Sequence, residues 1–200
     1  MKNEVFQNFG SKFEVWRGDQ KLGDAQCDVP GKHNVLNSLA AIAAGMEIGL
    51  TFAQASQGLA QFKGVRRRFE WKGEKGGVKV FDDYGHHPTE IRATLSAARK
   101  AWGGRIVTMF QPHRYSRTQD CYEDFTRCFD DADVLFLSDI YPAGEQPIEG
   151  ISSEKLSVDI RQQGHKSVEY VGEVRDAAKK IVGKLQPGDL FLSFGAGNGY

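Results

Sequence analysis

Residues 80–91 read "VFDDYGHHPTEI": an apolar, β-prone start, two carboxylates, a tyrosine, two adjacent histidines, then a proline. The order suits a buried strand that ends in a polar loop, with Pro88 in the first turn of a following helix. Working outward, "FEWKG" and "VKVFD" flank the turn "EKGG" as a hairpin. A helix is expected from Pro88 to Trp102, with Ile91, Leu95 and Ala98 on its buried side. Beyond it the pattern predicts a strand at "RIVTMF", a helix from Ser116 to Phe129 and a strand at "VLFLSD". A helix from Ser152 to Gln163, a strand at "VEYV", a helix from Val174 to Leu185 and a last strand at "DLFLSF" complete it.

Short apolar strands separated by helices predict an α/β fold: a Rossmann-like, mostly parallel six-stranded sheet with helices on both faces. Upstream the pattern differs. Residues 11–30 alternate apolar and polar around "RGDQKLGD" and predict a β-hairpin. From His33 the period becomes helical through Val35, Leu39, Ile42 and Met46, with Gly49 as a stop. "TFAQASQGLAQF" predicts a second helix with Thr51 as its N-cap, and a domain boundary is expected near Lys63 to Val65.

Composition bounds the function. Lysine plus arginine equals aspartate plus glutamate at 26 each, so no global field recruits nucleic acid or an anionic membrane. Forty per cent apolar residues exclude a disordered chain, and no window reaches the length of a membrane span. "MKNEVFQNFG" has no apolar core of a secretory signal. Three scattered cysteines fit a reduced, cytoplasmic chain; Cys121 and Cys128, seven apart, are expected to share one helix face and pack.

Ligands of open parallel sheets bind outside the carboxyl ends of the strands. The loops "DDYGHHP", "QPHRYSRT", "DIYPAGEQPIEG" and "GAGNGY" all follow such ends and are expected to converge on one crevice. Asp82 and Asp83 lie too early to cap the helix at Pro88; one of them suits a ribose diol better. Adjacent side chains such as His86 and His87 point apart, so a metal held by both is not expected. Arg114 and Arg117, three apart at a helix start, can reach one side and grip carboxylate or phosphate, with a solvated face as the plain alternative. Asn34 and Asn37 offer amide donors and acceptors suited to an adenine edge, or else cap their own helix, while Val35, Leu36 and Leu39 turn inward. Arg66, Arg67 and Arg68 lie at the boundary, within reach of nucleotide phosphates. "GAGNGY" lacks the helix of a dinucleotide fingerprint. No GxxxxGK[ST] loop occurs: "QCDVPGKH" lacks the first glycine and the hydroxyl residue.

"GKHNVLNSLAAIAAG", "GVRRRFEWKG", "FDDYGHHPTEI", "FQPHRYSRTQD", "DIYPAGEQPIEG" and "GAGN" together resemble the Mur ligases, from about residue 10 to residue 198. That family has a UDP-sugar-binding domain, a central ATPase domain with a P-loop and a C-terminal Rossmann-like domain. The resemblance implies that residues 1–63 are the tail of the central ATP-binding domain and 64–200 the C-terminal domain. Met1 is then the start of a fragment, expected to be inactive alone. The pairing of "DDYGHHPTE" with "FQPHRYSRT" implies the reaction that joins L-alanine to UDP-N-acetylmuramate with ATP and Mg2+, through an acyl phosphate, in peptidoglycan synthesis. It implies adenine contacts for Asn34 and Asn37, phosphate contact for Arg68, ribose contact for Asp83, and an L-alanine pocket from Tyr84, His86, Arg114 and Arg117. It implies no covalent nucleophile, and metal ligands only in the upstream part.

His86 is expected to face the amino acid while His87 starts the helix. Lys32, where the family often has arginine, and the ending "GNGY" depart from the pattern. The alternatives are a ligase that recycles murein tripeptide and a non-catalytic nucleotide- or amino-acid-binding module. Exchange of the first segment between two copies makes a homodimer a candidate assembly.

Overall fold

The computed structural model describes residues 1–7, 9–62 and 64–197. Lys63, at the expected boundary, and the ending Asn198–Tyr200 lie outside the described residues. Lys2–Gln7 (β1), Gly10–Arg17 (β2) and Gln20–Cys27 (β3) form an antiparallel sheet in that order. The predicted hairpin is therefore two of three strands. β1 escapes sequence reading because "KNEVFQ" is mostly polar and shows no alternation, as an edge strand tolerates. Two helices cover this sheet, Lys32–Glu47 (α1) and Phe52–Gln61 (α2), with Phe13, Val15, Ala25, Val35 and Ile42 buried between them. Leu36 corrects the expectation that it turns inward: it is 53% exposed, because the buried stripe runs through Val35, Ser38 and Ile42. Thr51 caps α2 as expected: its hydroxyl accepts from the Gln54 N–H at 3.3 Å, and its own N–H donates to the Gln54 side chain at 2.9 Å.

The second sheet has six strands: Glu70–Lys75 (β4), Val78–Asp83 (β5), Ile106–Phe110 (β6), Val134–Ser138 (β7), Val168–Gly172 (β8) and Leu190–Phe194 (β9). Their order is β4-β5-β9-β6-β7-β8, parallel throughout except for the β4–β5 hairpin. Alternate residues of β6, β7, β8 and β9 feed opposite cores, as buried parallel sheets require. Leu135 and Leu137 face Pro88–Ala101 (α3), Tyr122–Phe125 (α5) and Ser153–Gln162 (α6), through Leu95, Phe125 and Leu156. Phe136 faces Val174–Val182 (α7), through Ala177 and Ile181. α7 stops at Gly183, short of the predicted Leu185.

The expected helix from Ser116 to Phe129 is instead two short ones, Tyr115–Asp120 (α4) and α5, broken at Cys121. Thr118 lies one turn before the break. Its hydroxyl donates to the Arg114 carbonyl at 2.8 Å, a back-bond that bends helices. Cys121 and Cys128 therefore do not share one helix, yet both pack on the same core, Cys128 at 1% exposure and Cys121 half-buried at its edge. Phe9, from the β1–β2 turn, joins the two sheets. Its ring packs 4.9 Å from Phe81, 5.8 Å from Phe69 and 6.0 Å from Trp102.

Candidate functional site

The strand order makes β5, β9, β6 and β7 consecutive neighbours, so the loops after them open side by side. Two cavities stand near this edge, of which only the second lies among those loops. The first, about 910 Å3, lies between α1, α2, residues 64–69 and α3, and Asn34, Asn37, Arg68 and Asp83 all line it. Its floor is apolar, from Ile42, Ala55, Leu59 and Ala97 among others. The volume lies within the range of small-molecule sites. The Asn34 amide donates to the Pro30 carbonyl at 2.7 Å, so part of its capacity serves its own helix start. Arg68 lies 3.6 Å from Glu90.

Asp83, only 4% exposed, is a buckle as well as a lining residue. Its Oδ2 accepts from the Phe69 N–H at 2.8 Å and its Oδ1 from the Gly85 N–H at 2.7 Å. Burial pushes its carboxyl above the usual range, while those two amides and the Arg68 charge pull it back. Each oxygen keeps a second lone pair for a ligand hydroxyl.

The second cavity, about 560 Å3, gathers Tyr84, His86, Arg114 and Arg117; His113 and Ala196 also line it, as do Ser116, Asp120, Cys121 and His87, so that both histidines of the pair face it. The capping pattern of "HHPTE" orients the first two. His87 is the N-cap of α3 and accepts from the Thr89 N–H at 3.3 Å, while the Glu90 carboxylate reaches back to the His86 and His87 amides at 3.2 and 3.3 Å. This leaves the His86 ring over the cavity, edge-on to Tyr84 at 5.2 Å. Its Nδ1 lies 2.9 Å from the Tyr84 carbonyl, which can only accept, so Nδ1 carries a hydrogen; the same nitrogen stands 3.7 Å from the Glu90 carboxylate, and in the neutral ring Nε2 is an acceptor.

Arg114 holds a left-handed backbone, φ +72, pinned by its N–H to the Tyr141 carbonyl at 2.8 Å. Glu145, from the loop after β7, accepts from the Ser116 N–H at 3.0 Å and lies 3.5 Å from Arg114. Arg117 donates to His113 Nδ1 at 3.2 Å, and the His113 ring stacks on Tyr141 at 5.4 Å. Burial, reinforced by the Arg117 and neighbouring charges, pushes His113 below the usual histidine range and keeps it neutral at pH 7. Two guanidinium groups beside an imidazole acceptor suit a zwitterionic ligand, carboxylate to the arginines and ammonium to the histidine.

His113, Tyr141 and Glu145 were not singled out by sequence reasoning. They stand inside the very loops "QPHRYSRT" and "DIYPAGEQPIEG" that it marked, which was the available signal. Asn198, Gly199 and Tyr200 of "GAGNGY" lie outside the described residues.

Known proteins support a common origin. Residues 67–197 match the family described as Mur ligase, glutamate ligase domain. The UDP-N-acetylmuramate--L-alanine ligase of Geotalea uraniireducens is 51% identical over 177 residues, covering 88% of this chain and 39% of that protein. The Bdellovibrio bacteriovorus protein of the same name is 49% identical over 195 residues, covering 94% of this chain and 42% of its own length. The crystal structure of UDP-N-acetylmuramate-alanine ligase from Thermotoga maritima superposes with a TM-score of 0.83 at 27% identity, over 99% of this chain and 42% of that one. The chain thus spans about two fifths of the length of the curated relatives it matches. With the matched domain covering well over half of its residues, this chain belongs to the Mur ligase family.

Proposed function

We propose that this chain forms the amino-acid-gripping and nucleotide-facing part of an ATP-dependent ligase that joins L-alanine to UDP-N-acetylmuramate. The observation that carries the reading is the second cavity: two arginines, a tyrosine and a histidine acceptor that together suit a small zwitterion. The names of the relatives supply the amino acid and its acceptor. In this reaction the muramate carboxylate takes the γ-phosphoryl group of ATP, releasing ADP. The alanine amine then adds to the acyl phosphate, and collapse of the tetrahedral adduct expels phosphate and leaves the amide, with one proton released.

The residues here act by placement and charge, not as covalent nucleophiles. Arg114 and Arg117 hold the carboxylate of alanine, Tyr84 lies against its methyl group, and His86 Nε2 accepts a hydrogen bond from the amine. Asn34 and Asn37 read the adenine edge, Asp83 accepts from the ribose, and Arg68 meets the phosphates. The first cavity suits such a nucleotide in volume and in donor set, with two amides, a guanidinium and a carboxylate lining it beside an apolar floor.

Magnesium is different. Among the described residues no group of three or more His, Cys, Asp or Glu side chains is placed to hold a metal ion, so no residue here is assigned to it. We assign residues 1–63 to the ATP-binding unit and 64–200 to the amino-acid-binding unit. Among the described residues no helix is long and apolar enough to cross a membrane. A ligase that consumes ATP and a UDP-sugar acts in the cytoplasm.

The test is product formation by the complete ligase from ATP, UDP-N-acetylmuramate and either L-alanine or the murein tripeptide. Preference for L-alanine is expected. Preference for the tripeptide, or no product with either, overturns the reading.

A further inference from the structure

Arg67 has no task in the reaction as described, yet its surroundings are the most constrained of the junction. Arg67 has φ +58 and Phe69 has φ +47, so Arg68 sits between two non-glycine residues in left-handed conformation. Such a conformation is strained for a residue with a side chain and persists only where its surroundings enforce it. The enforcing bonds are on hand. The Arg67 N–H donates to Glu70 at 2.8 Å, the Arg67 carbonyl accepts from the Tyr84 N–H at 2.6 Å, and the Phe69 N–H donates to Asp83 at 2.8 Å.

The side chain then crosses to the exit of β9. Its guanidinium donates to the Gly195 carbonyl and, at 3.4 Å, to the Gly197 carbonyl. Its Nε lies 3.4 Å from Asp82, and its plane sits 4.8 Å from the centre of the Tyr84 ring. Tyr84 and Ala196, in the middle of that glycine loop, both wall the second cavity. Arg68, the next residue, lines the first.

We infer that Arg67 is a positioning residue: it fixes the Tyr84 ring and the 195–197 loop as one wall of the amino-acid pocket, and ties that wall to the turn that carries Arg68 into the nucleotide cavity. Only a planar fork can reach two carbonyls while lying over a ring; lysine offers one point charge and no stacking face. The inference rests on reading the second cavity as the amino-acid pocket, and the two arms of its test separate the claims.

The first arm uses this chain and needs no activity. In Arg67→Ala and Arg67→Lys, amide hydrogen exchange of residues 195–197 is expected to quicken at least ~10-fold while β6 is unchanged. Unchanged exchange at 195–197 overturns the positioning role, as does equal acceleration in β6. Arg67→Lys keeps the arm decisive if Arg67→Ala fails to fold. The second arm uses the complete ligase. Arg67→Lys is expected to raise KM for L-alanine about 10-fold or more while KM for ATP moves less than about 2-fold. Equal rises, or none, overturn the link to the amino-acid pocket. A wild-type ligase that makes no alanine product refutes the functional reading, and the exchange arm then decides the role of Arg67.

Discussion

Asp83→Asn separates a structural buckle from a simple ligand contact. The substitution keeps the side-chain volume but turns one acceptor oxygen into an NH2 donor. Both oxygens now accept a backbone N–H, from Phe69 at 2.8 Å and Gly85 at 2.7 Å, at a position 4% exposed. One of those amides must therefore face a donor, at a cost of about 1–3 kcal/mol. If the Phe69 amide is the loser, the bond that holds its φ of +47 goes too. Against this, asparagine removes a buried charge, so a net loss of about 2 kcal/mol at neutral pH is the working figure. For a chain of this length that lowers the thermal midpoint by roughly 4–8 °C.

The pH dependence carries a sign. Burial raises the folded-state pKa of Asp83 above its unfolded value. Its contribution is then fully present below the unfolded carboxylate value of about 3.9 and declines as pH rises through the raised folded value. The gap between wild type and Asp83→Asn should accordingly be wider near pH 4 than at pH 8. Thermal and urea unfolding of this chain at several pH values measure it. A midpoint within about 1 °C of wild type at every pH would refute the buckle. A raised KM for ATP in the complete ligase, without that instability, would leave Asp83 as a ligand contact alone.

Three further outcomes are expected. His86→Ala in the complete ligase should raise KM for L-alanine about 10-fold while KM for ATP changes little, because His86 lines the second cavity and not the first; steady-state kinetics with each substrate varied decides it, and equal effects count against the assignment. Burial pushes the Asp189 carboxyl up, but the Arg105 fork at 2.8 and 2.7 Å and the Gln186 amide outweigh it and hold its pKa low. That contribution is present above the unfolded value of about 3.9 and lost as pH falls through the lower folded value, so Asp189→Asn should destabilise this chain at pH 7 and by progressively less in acid titrations below about pH 4. Phe9→Ala should loosen the small sheet from the large one and cost about 2 kcal/mol, seen as faster proteolysis within residues 1–62 of this chain; unchanged digestion would show that the aromatic cluster does not join them.

Much of this molecule is written locally. The continuous apolar runs of β6, β7 and β9 announce buried strands, and Thr51 with Gln54 and His87 with Glu90 announce helix starts. The site loops could be marked because strand ends, not the strands themselves, carry the unusual polar residues. What stayed hidden depends on partners far along the chain or carries no local signal. Arg67 meets carbonyls at Gly195 and Gly197, about 130 residues away, and no local pattern distinguishes it from Arg66 or Arg68. The helix break at Cys121, where the backbone turns to φ −107 and ψ 17, carries no proline or glycine to announce it.

The position of β9 shows why the cavity wall in particular escapes sequence reading. In chain order β9 is last, yet in the sheet it lies between β5 and β6, bonded to both. The hairpin β4–β5 and the α3 crossover to β6 therefore build a sheet with a gap in its middle, which only the final strand closes. Its closure brings the Gly195 N–H to the Asp83 carbonyl at 3.3 Å and the Gln111 N–H to the Phe194 carbonyl at 2.9 Å. Those bonds align three strand exits at once. Space at that point is also tight: a Cβ added at Gly197 would stand 2.7 Å from the Gln111 side chain and 3.2 Å from Tyr141. The wall of the two-arginine cavity thus includes Ala196 from the exit of the last strand, with Arg67 reaching across to its neighbours, and the loops "DDYGHHP" and "QPHRYSRT" cannot supply that wall by themselves.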